Sequence, residues 1–154
     1  MNTLSENQFM GVLQALPDRQ PVLRVVPMPC DVNSSGDIFG GWVMAQVDIA
    51  GSIPATRRAR GRVATVAVNA FYFKQPVSVG DVVSFYAEVI RVGTTSITVD
   101  VQVYAARNPA APVVVKVTEA TLTYVCLNKD GTKRPVPDEL PNAQSVNELS
   151  RSAA

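Results

Sequence analysis

Asp48 lies in GDIFGGWVMAQVDIAGSIPA, a run of small and apolar residues from Gly36 to Ala55 that reads as a helix behind a glycine-rich turn. At helical spacing its neighbours are Gly41, Met44, Ala45, Gly51 and Ser52, none of them a cation. A carboxylate there bears a desolvation cost unless it is hydrogen-bonded or faces a polar ligand. Desolvation favours the protonated acid, the direction that turns a carboxylate into a useful general base. Such a group could deprotonate a water or attack an electrophile itself. The plainer alternative is a solvent-facing or ion-paired aspartate. The chain contains no histidine. That removes the commonest general base, and with it Ser-His-Asp and Cys-His machinery and the classical zinc sites.

The turn ahead of Asp48 offers a place for negative charge. Gly36, Gly40 and Gly41 flank Asp37, Ile38 and Phe39 at the expected helix start. Free backbone N–H groups at a helix N-terminus stabilise a phosphate, or the oxyanion that forms when an ester or thioester carbonyl is attacked. The alternative is plain turn geometry with Asp37 as the helix cap. The glycine spacing is not that of a dinucleotide fold. Asn33, in DVNSSG, is a turn former or a donor aimed at a carbonyl or water. Gly93, Thr94, Thr95 and Ser96 read as a hairpin turn whose amides and hydroxyls could cradle phosphate oxygens. Arg57, Arg58, Arg60, Arg62, Lys74 and Arg91 are surface cations by default, and Glu119 fits either face of its strand. Cys30 and Cys126 have no metal-binding spacing and no basic partner, so they read as small packing residues.

The elements that must position these groups follow from periodicity. One helix is expected from Gly40 or Gly41 to about Arg60, kinked or irregular at Pro54 and stopped at Gly61. A short strand at Val22–Val26 precedes it. After Gly61 the period becomes two, with strands at Val63–Phe73, Val82–Val92, Ser96–Ala106 and Val113–Leu127. NKDGT, Asn128 to Thr132, is a turn. Leu4 to Leu16 is expected to be a short helix or mobile, and the tail beyond Pro135 loosely ordered. This is an α+β chain with one helix against an antiparallel sheet of about five strands. A single helix leaves apolar strand edge and face uncovered, which predicts pairing with another subunit.

With 154 residues, a net charge of +1 and 47% hydrophobic residues, the chain is sized for one globular domain. Expected boundaries are an N-terminal extension at 1–20, the domain at 21–134 and a C-terminal tail at 135–154. The charge argues against an extended nucleic-acid surface. No apolar run is long enough to span a membrane, and MNTLSENQFMG does not read as a signal peptide. The expected compartment is cytoplasmic.

The blocks DVNSSGDIFGGWVMAQVDIAGSIPA and GRVATVAVNAFYFKQPVSVGDVVSFYAEVIRVGTTSITVDVQVYA, in this order, resemble the hotdog-fold acyl-CoA thioesterases, in particular the YciA-like bacterial branch. The resemblance runs from about Leu23 to Leu127. It implies a long central helix wrapped by a curved antiparallel sheet, a homodimer as the catalytic unit, and dimers assembling into a trimer of dimers. It implies hydrolysis of acyl-CoA to free acid and coenzyme A, without a further cofactor or metal. In that family the catalytic carboxylate falls on Asp48, an asparagine from the partner subunit on Asn33, and the oxyanion donor on the amide of Gly40 or Gly41. Arg62, Val68, Asn69, Lys74, Arg91 and Gly93 to Ser96 fall in the coenzyme A contact region. Some relatives carry histidine where this chain has Ser34 and Ser35; the YciA-like branch does without it. A binding-only acyl-CoA protein and a hotdog hydratase or dehydratase are the rival readings, the latter disfavoured by the missing histidine.

Overall fold

The computed structural model describes residues 14–108 and 110–139. Three-residue strand β1 (Leu23–Val25) is followed by helix α1 (Gly40–Ala59). Four long strands come next: β2 (Val63–Phe73), β3 (Val82–Val92), β4 (Ser96–Arg107) and β5 (Val113–Cys126). All pairings are antiparallel, in the order β1-β3-β4-β5-β2. This is the α+β hotdog arrangement, a long helix laid against a five-stranded sheet. The expected strand limits hold to within a residue or two.

Period-two alternation selects the inner face. Ile97, Val99, Val101 and Val103 of β4 point into the core, with Val83 and Phe85 of β3 and Leu122 and Tyr124 of β5. The helix answers with Val43, Val47, Ala50, Ala55 and Ala59, spaced three to five residues apart. Each fully buried valine, leucine, isoleucine or phenylalanine contributes about 1.5–3 kcal/mol. The opposite side of α1 is also apolar, with Met44 and Ile49 exposed. No helix among the described residues is long and apolar enough to cross a membrane.

Several local features differ from expectation. Helix α1 runs unbroken through Pro54 to Ala59. Arg60, rather than Gly61, takes the left-handed conformation at the helix end (φ 48°), and Gly61 N–H then reaches Thr56 O at 3.3 Å. Asp37 does not cap the helix; Phe39 holds the cap position without a side-chain bond. The chain beyond Pro135 is tied down as far as Glu139. Arg58 donates to Pro137 O (2.6 Å), Arg60 to Asp138 O (2.6 Å), and Val136 N–H to Thr94 O (2.8 Å). Polar donors clustered at the helix end thus order a segment whose own composition has no periodicity.

The described part of the N-terminal extension is also anchored. Gln14 N–H bonds Val114 O, Val22 N–H bonds Phe85 O, and Arg19 pairs with Glu88 at 3.0 Å beside the Tyr86 ring. The predicted helix or mobile stretch from Leu4 to Leu16 lies almost wholly outside the described residues.

Candidate active site

Asn33 closes the turn that leads into α1. Its Oδ1 accepts the N–H of Ser35 (2.9 Å) and of Asp37 (3.2 Å), and its own N–H bonds Asp37 O (2.7 Å). Gly36, at φ 91°, is in the left-handed region that this turn demands of glycine. With Oδ1 committed to the turn, the Nδ2 amide is the polar group left to face outward. The first two helix amides, Gly40 and Gly41, donate to no group among the described residues. A Cβ on Gly40 would sit 3.2 Å from the Phe73 ring, while the space beside Gly41 is open. Asn33, Gly40, Phe73, Lys74 and Val77 line a cleft of about 360 Å³.

Asp48 is half-buried and lies outside that cleft. At 1.5 Å per residue it sits about 12 Å further along α1 than Gly40. It is not isolated among apolar neighbours as the helix sequence suggested. Thr65 Oγ1 donates to its Oδ1 at 2.5 Å, and the Tyr124 hydroxyl is 3.3 Å from the same oxygen and 2.9 Å from the Asp48 carbonyl. Oδ2 accepts no hydrogen bond among the described residues. Burial, and then the charge of Asp48, push the Tyr124 phenol well above its usual range, so it remains a donor.

Thr65 and Tyr124 escaped the sequence reading. They are register partners in the β2–β5 ladder, and only that pairing brings their hydroxyls together. Thr65 is exposed and Tyr124 buried, and neither residue type stands out in its strand.

The coenzyme A candidates fall into two groups. Arg62 precedes Val63, which pairs with Cys126; Cys126 N–H in turn bonds Thr95 O at 2.9 Å. Arg62 and the turn Gly93–Ser96 are therefore neighbours, with exposed Arg91 on the same end of the sheet. Gly93 N–H bonds Ser96 O at 2.8 Å, closing the turn. Lys74 is at the other end of β2, roughly 35 Å away along an eleven-residue strand. One chain does not bring Lys74 and Arg62 together. Lys74 is also engaged with Glu119 at 2.8 Å, and Lys116 bonds the same carboxylate. Those two ammonium groups, Lys116 foremost, hold the Glu119 carboxyl below its usual range. Val68 is exposed in mid-strand, and Asn69 Oδ1 accepts Thr123 Oγ1 at 2.7 Å.

Cys126 is buried, and that burial raises its thiol against the opposing pull of Arg134 and Arg58; Cys30 is exposed. Neither lies against Asp48.

Comparison with known proteins agrees with this geometry. The family model of the thioesterase superfamily matches residues 35–111. The chain is 45% identical over 130 residues to the acyl-CoA thioester hydrolase YciA of Salmonella typhimurium, covering 83% of this chain and 98% of that one. Among solved structures it resembles a hexameric hotdog-fold thioesterase of Campylobacter jejuni, with TM-score 0.74, 40% identity, and coverage of 87% and 96% of the two chains. It also resembles a hexameric thioesterase of Yersinia pestis, with TM-score 0.75, 44% identity, and coverage of 80% and 100%.

Proposed function

The chain belongs to the YciA-like branch of the hotdog-fold acyl-CoA thioesterases, and from that membership we infer how its residues hydrolyse an acyl-CoA thioester to a free carboxylic acid and coenzyme A. Asp48 is the catalytic carboxylate in this reading. The observation that carries it is the fixing of Oδ1 by Thr65 and Tyr124, which leaves Oδ2 to work on water.

A water at Oδ2 gives up its proton as its oxygen attacks the thioester carbon. The carbonyl oxygen becomes an oxyanion, held by the amides of Gly40 or Gly41 at the helix N-terminus and by Asn33 Nδ2. Collapse breaks the carbon–sulfur bond. The proton taken by Asp48 goes to the departing coenzyme A sulfur, leaving the acid and a regenerated carboxylate. Direct attack by Asp48 would instead pass through a mixed anhydride. In a single turnover in ¹⁸O-water, direct water attack labels the released acid, whereas an anhydride opened at the Asp48 carbon releases unlabelled acid and leaves the label in Asp48.

We place the site between two subunits. Asn33, Gly40 and Lys74 form one half at one end of the chain; Asp48, Thr65, Arg62 and Gly93–Ser96 form the other. Antiparallel pairing of β2 with its counterpart in a second chain sets one half against the other. The free outer edge of β2, with Val66, Val68, Tyr72 and Phe73 exposed, supports that pairing. Dimers then assemble into a hexamer, as in the Campylobacter and Yersinia relatives. Arg62, Arg91 and the Gly93–Ser96 turn face the phosphates of coenzyme A, with Val68 and Asn69 along its path and Lys74 entering from the partner's half.

The test is thioester hydrolysis across acyl-CoA chain lengths by the native protein and by Asp48→Asn. The expected loss in kcat is about 10²–10⁴-fold with the fold and coenzyme A binding retained. Near-normal turnover by Asp48→Asn ends the assignment.

A further inference from the structure

Gly51 is an odd residue to find in the middle of a twenty-residue helix, where glycine costs about 1 kcal/mol relative to alanine. It is buried, and the reason is steric. A Cβ at Gly51 would collide with the Tyr124 hydroxyl and lie 3.2 Å from its ring carbon Cζ. The glycine clears space for a phenol that reaches across the helix to Asp48, three residues earlier.

Tyr124 is fully buried in the core. Its hydroxyl lies 2.9 Å from the Asp48 carbonyl and 3.3 Å from Oδ1, while Thr65 holds Oδ1 from the other strand. We propose that Tyr124 is a positioning residue for thioester hydrolysis: its hydroxyl, admitted by Gly51, clamps the main chain and the carboxylate of Asp48 together and so fixes the direction of Oδ2. The main-chain contact sets where the carboxylate starts, and the side-chain contact sets its rotation. The hydroxyl carries one proton, shared between the carbonyl at 2.9 Å and Oδ1 at 3.3 Å, and together with the Thr65 donor it leaves a short side chain little freedom.

The electrostatic surroundings are simple. Among the described residues, Tyr124 is the titratable group in contact with Asp48. The helix neighbours Met44, Ala45, Gly51 and Ser52 carry no charge, and Thr65 does not titrate. Removing the phenol's hydroxyl therefore changes one donor.

The inference rests on Asp48 being the catalytic carboxylate, and the experiment keeps the two separate. Tyr124→Phe, Gly51→Ala, the double variant and Asp48→Asn are compared in the assembled enzyme by kcat, KM and melting temperature. For Tyr124→Phe, kcat falls about 10–100-fold while KM stays within about twofold. For Gly51→Ala, which keeps the hydroxyl but displaces it, the changes run the same way. In the double variant the added methyl meets no hydroxyl, so its effect on top of Tyr124→Phe shrinks. Native kcat in Tyr124→Phe, beside an inactive Asp48→Asn, overturns the proposal while leaving Asp48 in place. A fall in kcat that disappears at temperatures well below the lowered melting temperature overturns it as well, since that marks packing alone. An active Asp48→Asn overturns the premise instead.

Discussion

Thr65 and Tyr124 face each other across the β2–β5 ladder, and their hydroxyls converge on one atom, Asp48 Oδ1. The carboxylate on the helix is thus held from below by a single cross-strand pair. The register irregularity that follows Thr65 in β2 lies immediately beyond this pair. Replacing Thr65 with valine keeps the shape and removes the donor. We expect kcat to fall about 10-fold or more, as for loss of a hydrogen bond to a charged group, with Thr65→Ser retaining most of the rate. Steady-state kinetics of the two variants check this; equal rates for valine and serine would show that the hydroxyl does not matter.

A site shared between two subunits, as proposed, predicts complementation. Asn33→Asp keeps the oxygen that closes the turn and removes the Nδ2 donor; Asp48→Asn removes the base. Each variant alone should be impaired. After dissociation and mixing, half of the random dimers carry one defect on each chain, and one of their two sites is intact. Activity then returns to roughly a quarter of native. If Asn33 and Asp48 served the same site from the same chain, mixing would restore nothing.

Glu119 gives a pH prediction for stability. Its folded carboxyl is held below the usual range by hydrogen bonds from Lys116 and Lys74. A depressed carboxylate contributes stability that is fully present above its unfolded pKa and is lost as pH falls through the folded value. Glu119→Gln should therefore be less stable than native near neutrality, and the difference should close as the pH drops below the ordinary carboxylate range. Thermal melts at stepped pH measure it; a gap that widens toward acid contradicts the assignment.

Arg134 ties the end of the sheet to the end of the helix. It donates to Ala59 O at 2.8 Å and to Leu127 O at 3.1 Å, joining the last helical residue to the chain just beyond the strand that carries Tyr124. Arg134→Ala is expected to cost about 1–3 kcal/mol, seen as a lowered melting temperature. The Asp48 machinery is not touched, so kcat at low temperature should change less than stability does.

The strands and the helix were legible because one-face burial writes a period of two or of nearly four into the sequence. Asp48 stood out as a candidate because it violates that pattern. Thr65 and Tyr124 did not: a threonine and a tyrosine in β-strands are ordinary, and their roles arise from a pairing between residues far apart in the chain. The end of α1 was misjudged by one residue because arginine rarely takes the left-handed conformation that Arg60 adopts, whereas glycine does so freely. The order of the chain beyond Pro135, as far as Glu139, was missed because its anchors Arg58 and Arg60 belong to the helix end and read as solvated charges. Arg62 and Lys74 fell in one expected contact region, yet the eleven-residue strand β2 separates them.

The outer edge of β2 carries no lysine and no proline within VATVAVNAFYF, the residues that ordinarily guard an open edge. Under the proposed pairing of β2 edges, folding and association are coupled by mass action, and the apparent melting midpoint rises with protein concentration. The same pairing makes a newly synthesised chain that has not yet met its counterpart the species most exposed to aggregation.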